Sequence, residues 1–205
     1  MRSNNTLSRA CRRTLGSVSD PSSRPGRPKA SSQETLAEAA CELFLEQGFA
    51  ATSVVDITRR AGVSRSSFFN YFSSKSDILW AAFDERVDAA VRSLSRGGGV
   101  REALGAVADD FAPDALALAI VNAEQMGVAD ELEREAAARQ SRVADGVSRR
   151  LLVDGVEPLR AEVIGAACGG AVWAAVRAWA HDGAGRRPLQ PLLDRSLAVA
   201  LILLP

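Results

Sequence analysis

The sequence predicts an all-α protein with about nine helices: a three-helix N-terminal unit containing a helix-turn-helix, followed by a larger helical body. Alanine, the strongest intrinsic helix former, occupies 36 of the 205 positions. Apolar residues recur at three- and four-residue intervals, and no stretch has the alternation of a run of short strands. Glycine and proline interrupt the pattern where helices would end, at Gly48, Gly62, Pro113 and Gly155.

The charge of the chain is balanced overall but unevenly distributed. The 25 basic and 25 acidic side chains give a formal net charge of zero. Residues 1–30 nevertheless carry seven basic side chains and one acidic side chain, a net of +6. A basic tail on an acidic body indicates a polyanionic partner for the tail.

Residues 1–30 are predicted to form a basic arm, disordered in isolation, because they combine Ser, Arg, Pro and Gly without an apolar period. Arg24, Arg27 and Lys29 stand beside proline and glycine. Such a narrow, extended unit can enter a DNA minor groove, whose negative potential attracts arginine. Two alternatives stay open: a solvated tail, in part a misassigned start, or a transit peptide, whose Arg- and Ser-rich composition is similar.

Cysteine usage and hydropathy predict a cytoplasmic protein. Cys11, Cys41 and Cys168 are far apart and odd in number, which argues against a disulfide framework and for a reducing compartment. No apolar run is read as reaching the ~18–20 residues needed to span a bilayer. The N-terminus lacks the apolar segment of a secretory signal. We therefore expect no membrane partner.

Residues 31–78 are predicted to form three helices, the first from about Ser32 to Gln47. Ser31 and Glu34 have the spacing of a capping box at its start. One face of this helix should be solvated and point away from any phosphate backbone, because like charges four residues apart repel each other. That face carries four glutamates: Glu34, Glu38, Glu42 and Glu46.

The next two helices have helix-turn-helix spacing. The second begins near Ser53, whose side chain and that of Asp56 can cap each other's backbone amides, and it ends at Gly62. The third opens at Ser64, a good N-cap, and runs through Phe72. Glycine permits the positive φ that the short turn needs. This arrangement leaves the third helix free to enter a DNA major groove about 12 Å wide.

Residues 79–205 are predicted to form the larger body. A long helix from about Ser76 to Ser95 leads into it, and Gly97–Gly99 is interpreted as a linker. The last helix carries the cleanest apolar stripe, which includes Leu193 and Leu197. The remaining helices are expected at 100–111, 114–126, 130–154, 159–181 and 188–204.

The segment from about Ala37 to Leu79 resembles the DNA-binding domain of the TetR family of bacterial transcriptional regulators. About fourteen positions agree in type and spacing. Three departures are Thr58 in place of alanine, Ser66 in place of glycine and Phe69 in place of tyrosine, and the last two are expected to alter which bases are read. The agreeing positions are Gly48-Phe49, Thr52, Val55-Asp56-Ile57, Ala61-Gly62-Val63-Ser64, Phe68, Tyr71-Phe72 and Ser74-Lys75.

The resemblance implies separate roles for the polar residues of this segment, because phosphate contacts set register and base contacts set sequence. Arg65, Ser66 and Asn70 would face base edges, with Arg65 suited to bidentate bonding with guanine. From the residues themselves, the start of the second helix offers hydroxyls and a positive dipole to a phosphate. The expected phosphate contacts are Thr52, Ser53, Ser64, Ser67, Tyr71 and Lys75.

The same resemblance implies a homodimer that binds a palindromic, double-stranded operator DNA and usually represses transcription. A small, apolar or amphipathic effector is expected to release it from the operator. The dimer would form through helices near 159–181 and 188–204, where small residues and the leucine stripe suit close packing. We expect no cofactor and no metal. Candidate ligand-binding residues are large side chains and polar groups in otherwise apolar helices: Phe83, Phe111, Asn122, Gln125, Met126, Trp173 and Arg177.

An enzyme is disfavoured, because the chain has one histidine, His181, and no HExxH, GxSxG, CxxC or Walker pattern. Asp109 and Asp110 are adjacent, and adjacent helical residues diverge by about 100°, so they suit solvation better than paired acid–base work. Two alternatives remain open: a carboxylate-based enzyme, and a helical ligand-binding or adaptor protein with a degenerate helix-turn-helix.

Overall fold

The computed structural model describes residues 29–112, 114–184 and 186–203, with side chains described from residue 33 to residue 202. These residues form ten α-helices, two 3-10 helices and no strand, which confirms the all-α fold. The expected count of about nine was one too few, because Asn122 divides the segment 114–126 into two helices. The α-helices are α1 Lys29–Gln47, α2 Val54–Ala61, α3 Arg65–Phe69, α4 Asp77–Ser95, α5 Val100–Gly105, α6 Ala115–Val121, α7 Ala123–Met126, α8 Ala129–Val153, α9 Pro158–His181 and α10 Gln190–Ala200; the 3-10 helices are Ala106–Ala108 and Leu201–Leu203.

Helix α1 begins earlier than the sequence suggested. It starts at Lys29, so Ser31 lies inside the helix and the expected capping box at Ser31 is wrong. Lys29 therefore belongs to α1 and not to the arm, while Arg24 and Arg27 lie outside the described residues. The end of the helix is as expected, because Gly48 has φ +86° and its N–H donates to the Phe44 carbonyl oxygen at 3.0 Å.

The N-terminal unit and the body share one continuous apolar core. Leu36 and Phe44 of α1, Ile57 of α2 and Phe68 of α3 are fully buried together. Helix α4 continues this core from Leu79 at one end to Leu94 at the other. The long α4 therefore connects the helix-turn-helix to the body, and the predicted boundary between residues 78 and 79 lies in its first turn.

Helices α8 and α9 form a closely packed antiparallel pair. A Cβ atom added at Gly165 would lie 2.5 Å from the Ala144 carbonyl oxygen, and one added at Gly169 would lie 2.4 Å from the Gln140 carbonyl oxygen. The helix backbones therefore approach too closely for any side chain at these two positions. Two of the glycines of α9 serve this contact within the chain.

Helix α10 packs on α9 through its leucine stripe. Leu189, Leu193 and Leu197 are at most 1% exposed in the single chain. The Trp179 Nε1–H donates to the Arg187 carbonyl oxygen at 2.8 Å and holds the connecting loop against α9. The expectation that this stripe lies between two copies is wrong, because α9 of the same chain already covers it.

Among the described helices, α9 is the one long and apolar enough to cross a membrane by length and composition. Its mean hydropathy is 1.4 over an 18-residue window, so the sequence-based statement that no segment reached this level is wrong. Half of that window is buried inside the protein. Such burial is typical of the core helix of a globular domain.

Candidate nucleic-acid interface

The turn between α2 and α3 depends on Gly62. Its φ of +67° lies in the left-handed region, where L side chains are strained. The following Val63 N–H donates to the Thr58 carbonyl oxygen at 3.0 Å and closes the end of α2. This confirms the predicted turn and fixes the direction in which α3 leaves α2.

The start of α2 has the predicted capping box. The Ser53 hydroxyl oxygen accepts from the Asp56 N–H at 3.2 Å, and the Asp56 carboxylate accepts from the Ser53 N–H at 3.1 Å. The Ser53 hydroxyl, 2.6 Å away, and the Ser53 backbone N–H both donate to the Asp56 carboxylate and lower its pKa. The N-terminal end of α2 is thus held in one orientation.

One face of α3 anchors it and the other is exposed. Phe68 and Phe72 are buried in the core, with ring centroids 5.6 Å apart. The N-cap Ser64 accepts from the Ser67 N–H at 3.1 Å. The opposite face presents Arg65, Ser66, Phe69 and Asn70 to solvent. These are the side chains expected at base edges, together with Phe69.

The exposed face pairs an arginine with an aromatic ring. The Arg65 guanidinium carbon lies 5.6 Å from the centroid of the Phe69 ring, and Phe69 is 49% exposed. Within the part of the chain that the structure describes, Arg65 forms no salt bridge. The stacked ring holds the guanidinium outward and leaves its N–H groups available to a partner.

Thr52 does not belong to the exposed face. Its side chain is 1% exposed, and its hydroxyl donates to the Gly48 carbonyl oxygen at 2.8 Å and accepts from Gln47 Nε2 at 3.2 Å. The expected phosphate contact at Thr52 is therefore wrong, because the hydroxyl is buried and already bonded. Thr52 instead stabilises the loop between α1 and α2.

Lys75 also has a structural role that the sequence did not predict. Its Nζ donates to the carbonyl oxygens of Phe49 at 2.6 Å and Thr52 at 3.0 Å, and it lies 4.1 Å from the centroid of the Phe49 ring. Desolvation lowers the pKa of this ammonium group. With two of its three N–H groups engaged, Lys75 mainly positions the loop that leads into α2.

The remaining residues of this surface differ in how far they are available. Tyr71 is half-buried, with its ring 6.4 Å from that of Phe72. Arg59 is exposed and pairs with Asp56 at 2.6 Å. Arg60 binds Glu42 at 3.1 Å and Glu46 at 2.6 Å, so two ion pairs hold its guanidinium against α1.

The comparisons with known proteins match this same region. Residues 36–82 fit the family described as bacterial regulatory proteins, tetR family. The chain is 41% identical over 61 residues to the proposed mycofactocin biosynthesis regulator MftR of Mycobacterium tuberculosis, covering 30% of this chain and 31% of that protein. It is 34% identical over 83 residues to the transcriptional activator FasR of Mycolicibacterium smegmatis, covering 40% and 35%. The match therefore spans about a third of the length of each of these two relatives.

Residues 36–82 therefore form an N-terminal domain of the TetR type. A solved structure of NalD, described as the secondary repressor of a multidrug efflux pump in Pseudomonas aeruginosa, extends the likeness beyond the helix-turn-helix. It has a TM-score of 0.54 and 17% identity, and the match covers 84% of this chain and 96% of NalD. At this identity the likeness shows the fold, in which a TetR helix-turn-helix precedes a helical body.

The ligand-binding residues predicted for a TetR body do not converge on one cavity. Phe83 and Met126 are buried in the core, while Gln125 and Arg177 are exposed. The Asn122 Nδ2 donates to the Leu118 carbonyl oxygen at 2.8 Å and ends α6. Their part in ligand binding stays a prediction, because large side chains in apolar helices mark core packing as often as a pocket.

The two other aromatic candidates are also packed against core residues. Trp173 is half-buried, with its ring centroid 5.4 Å from that of Trp80. Phe111 makes an edge contact with Trp179 at 5.0 Å between centroids. Both rings therefore stabilise the body rather than border the cavities that the structure shows.

A buried ion-pair network between α4 and α8 was missed in the sequence. Arg139, 8% exposed, binds the Asp84 carboxylate through two nitrogens at 2.9 and 2.6 Å and Glu135 at 2.6 Å. Its guanidinium carbon lies 4.1 Å from the centroid of the Trp80 ring. No short motif marks this network, because Asp84 and Arg139 are 55 residues apart.

Three kinds of side chain bear on the two enzyme classes considered above: metal ligands, thiols and the carboxylate pair Asp109 and Asp110. Within them, no group of three or more His, Cys, Asp or Glu side chains is placed to hold a metal ion. Cys41 and Cys168 are buried free thiols, and burial raises the pKa of each to about 11, so neither is a thiolate near neutral pH. Asp109 and Asp110 are exposed.

Proposed function

We propose that this TetR-family chain is a cytoplasmic, sequence-specific DNA-binding transcriptional regulator. The observation that carries the proposal is the two-sided character of α3. Phe68 and Phe72 fix its inner face, and its outer face offers an unpaired guanidinium, hydroxyls and an amide at the end of a helix-turn-helix. That combination suits insertion into a major groove.

The exposed side chains divide into base and phosphate contacts. Arg65 can bond guanine O6 and N7, and the adjacent Phe69 ring can contact a thymine methyl group. Ser66 and Asn70 share that exposed surface. Ser53, Ser64, Ser67 and Tyr71 supply hydroxyls for phosphates, and Arg24 and Arg27 of the N-terminal arm contact the flanking minor groove. Thr52 and Lys75 act by holding the domain in shape.

The direct test is recovery of genomic DNA by the purified full-length chain. We expect the captured fragments to share an inverted repeat with half-site centres about 34–36 Å apart, one helical turn. Affinity for such a fragment should fall roughly 10³-fold or more between 50 and 200 mM salt, as counterions are released. Capture of fragments without a common sequence would contradict the proposal.

A homodimer is supported by an exposed apolar face on the last two long helices. On α9, Leu159 is 67% and Val163 is 49% exposed, and on α10 Val199 is 73% exposed. Gly170 lies seven residues after Val163 on the same face of α9, and a Cβ added there meets nothing within 4 Å. A symmetric copy covering this face would form a four-helix, isologous interface, while the leucine stripe of α10 stays inside each chain.

Gly170→Arg should therefore dissociate the dimer without unfolding the chain, because open space surrounds this position in the single chain. We expect sedimentation or light scattering to show a monomer where the wild type is a dimer, and operator affinity to fall at least about 100-fold. Circular dichroism should be unchanged. A variant that stays dimeric would place the interface elsewhere.

Regulation follows from the same architecture. We propose that the free dimer represses by occupying its operator and that a small effector releases it. An effector does this only if it binds the DNA-incompetent arrangement more tightly than the DNA-bound one. Transcription of the adjacent genes should therefore rise in a deletion strain, and a fall would indicate an activator.

A further inference from the structure

A cavity of about 720 Å³ lies between the helix-turn-helix unit and the body. Helix α1 and Phe72 form one wall, and α4 and α6 form the other. The volume is in the range of small-molecule sites, which is about 300–1,000 Å³. None of the ligand-binding residues predicted from the sequence borders this cavity.

The interior of this interdomain cavity is apolar. It is lined by Cys41, Leu45, Phe72, Ile78 and Ala81. Cys41, Phe72 and Ile78 are buried, and Phe72 and Ile78 belong to the core cluster that joins α1 to α4. An apolar group entering the cavity would therefore exchange water for contact with fixed side chains.

The rim of the cavity is acidic. The residues that line it include five carboxylates and, among these described side chains, no Lys, Arg or His. Glu42 is paired with Arg60, but within the described residues no salt bridge reaches Glu34, Glu38 or Glu85. The pKa of the Cys41 thiol is raised to about 11 first by burial and then by the charges of Asp114 and Glu42. The described lining of the cavity therefore carries a net negative charge, which Arg60 at Glu42 and Arg86 near Asp114 offset only in part.

We propose that this interdomain cavity binds an organic cation with an apolar body. Charge complementarity selects the cation, because each unpaired rim carboxylate attracts it. The apolar lining favours a cation with large apolar substituents, since a metal ion makes no favourable contact with apolar side chains. This step rests on the proposed function: the two walls of the cavity belong to the DNA-binding unit and to the body, so a molecule bound between them is also the effector.

Two probes of matched shape test the charge selection. Tetraphenylphosphonium and tetraphenylborate have four phenyl rings each and opposite charge. Isothermal titration calorimetry of the full-length chain, without DNA, should show that the phosphonium binds at least about tenfold more tightly. Equal binding of the two ions, or no binding of the phosphonium, overturns the inference.

Matched variants locate the binding. Glu38→Gln with Glu85→Gln should weaken phosphonium binding roughly tenfold, because two rim charges are lost and neither has a partner to release. Glu124→Gln with Glu133→Gln removes two exposed carboxylates elsewhere and should leave the affinity unchanged. Ala37→Phe keeps all charges and fills the cavity, so it should also abolish binding. Wild-type affinity in both cavity variants would place the cation at another site.

DNA binding measured with and without phosphonium separates failure of the cation site from failure of the proposed function. Adding phosphonium to the operator complex should weaken DNA binding in the wild type but not in the Glu38→Gln, Glu85→Gln variant. DNA binding without phosphonium binding overturns the cation site and leaves the regulator intact. Phosphonium binding at the cavity without any DNA binding leaves the site and overturns the regulator.

Discussion

Arg65→Ala should remove much of the ability of this protein to distinguish its operator from other DNA. The Arg65 guanidinium is exposed beside the Phe69 ring and forms no salt bridge within the described chain, so its N–H groups are available to a base. A bidentate arginine–guanine contact contributes about 1–3 kcal/mol of discrimination in each half-site. Competition binding against a scrambled duplex measures the loss, which we expect to be about tenfold or more for each half-site.

A matched arginine controls for the loss of positive charge. Arg149 is exposed on α8, in the body, and Arg149→Ala removes the same charge far from α3. We expect that variant to keep the wild-type preference for operator over scrambled DNA. The assignment of Arg65 as a base-reading residue fails if Arg65→Ala weakens both duplexes equally.

Gly169→Ala should destabilise the fold strongly for so small a change. The added Cβ would lie 2.4 Å from the Gln140 carbonyl oxygen, and this atom belongs to the α8 backbone and cannot rotate away. Helices α8 and α9 must therefore separate along their contact. Overpacking of this kind typically costs about 1–3 kcal/mol.

Gly170→Ala provides the control for helix propensity. Both variants replace a glycine of α9 with alanine, so both gain the same ~1 kcal/mol from propensity, but a Cβ at Gly170 meets nothing within 4 Å. At equal protein concentration, Gly169→Ala should melt about 4–8 °C below Gly170→Ala. Equal melting temperatures would show that α8 and α9 are not in close contact there.

The sequence predicted most of the local structure because local structure depends on neighbouring residues. The Ser53–Asp56 capping box, the positive φ of Gly62 and the Ser64 N-cap each involve atoms within a few residues. The burial of Phe68 and Phe72 follows from their spacing on one helix face. These features together define the helix-turn-helix, and the family match confirms them.

The errors concern contacts between residues far apart in the chain. The type and position of Lys75 suggested a phosphate contact. Its ammonium group instead donates to the carbonyl oxygen of Phe49, 26 residues away, so fewer of its N–H groups are left for a phosphate. The leucine stripe of α10 looked like a dimer surface, but α9 covers it. The cavity at the interdomain boundary is built from α1, α4 and α6, and no periodicity in one helix predicts such a space.

The most direct test of the central claim is a titration of the wild-type chain with its captured inverted repeat and with a scrambled duplex of the same length and composition. The account predicts that the repeat is bound at least about 10³-fold more tightly at physiological salt. Both affinities should fall as salt rises. Equal affinity for the two duplexes, or binding to neither, would contradict the claim that the exposed face of α3 reads DNA sequence.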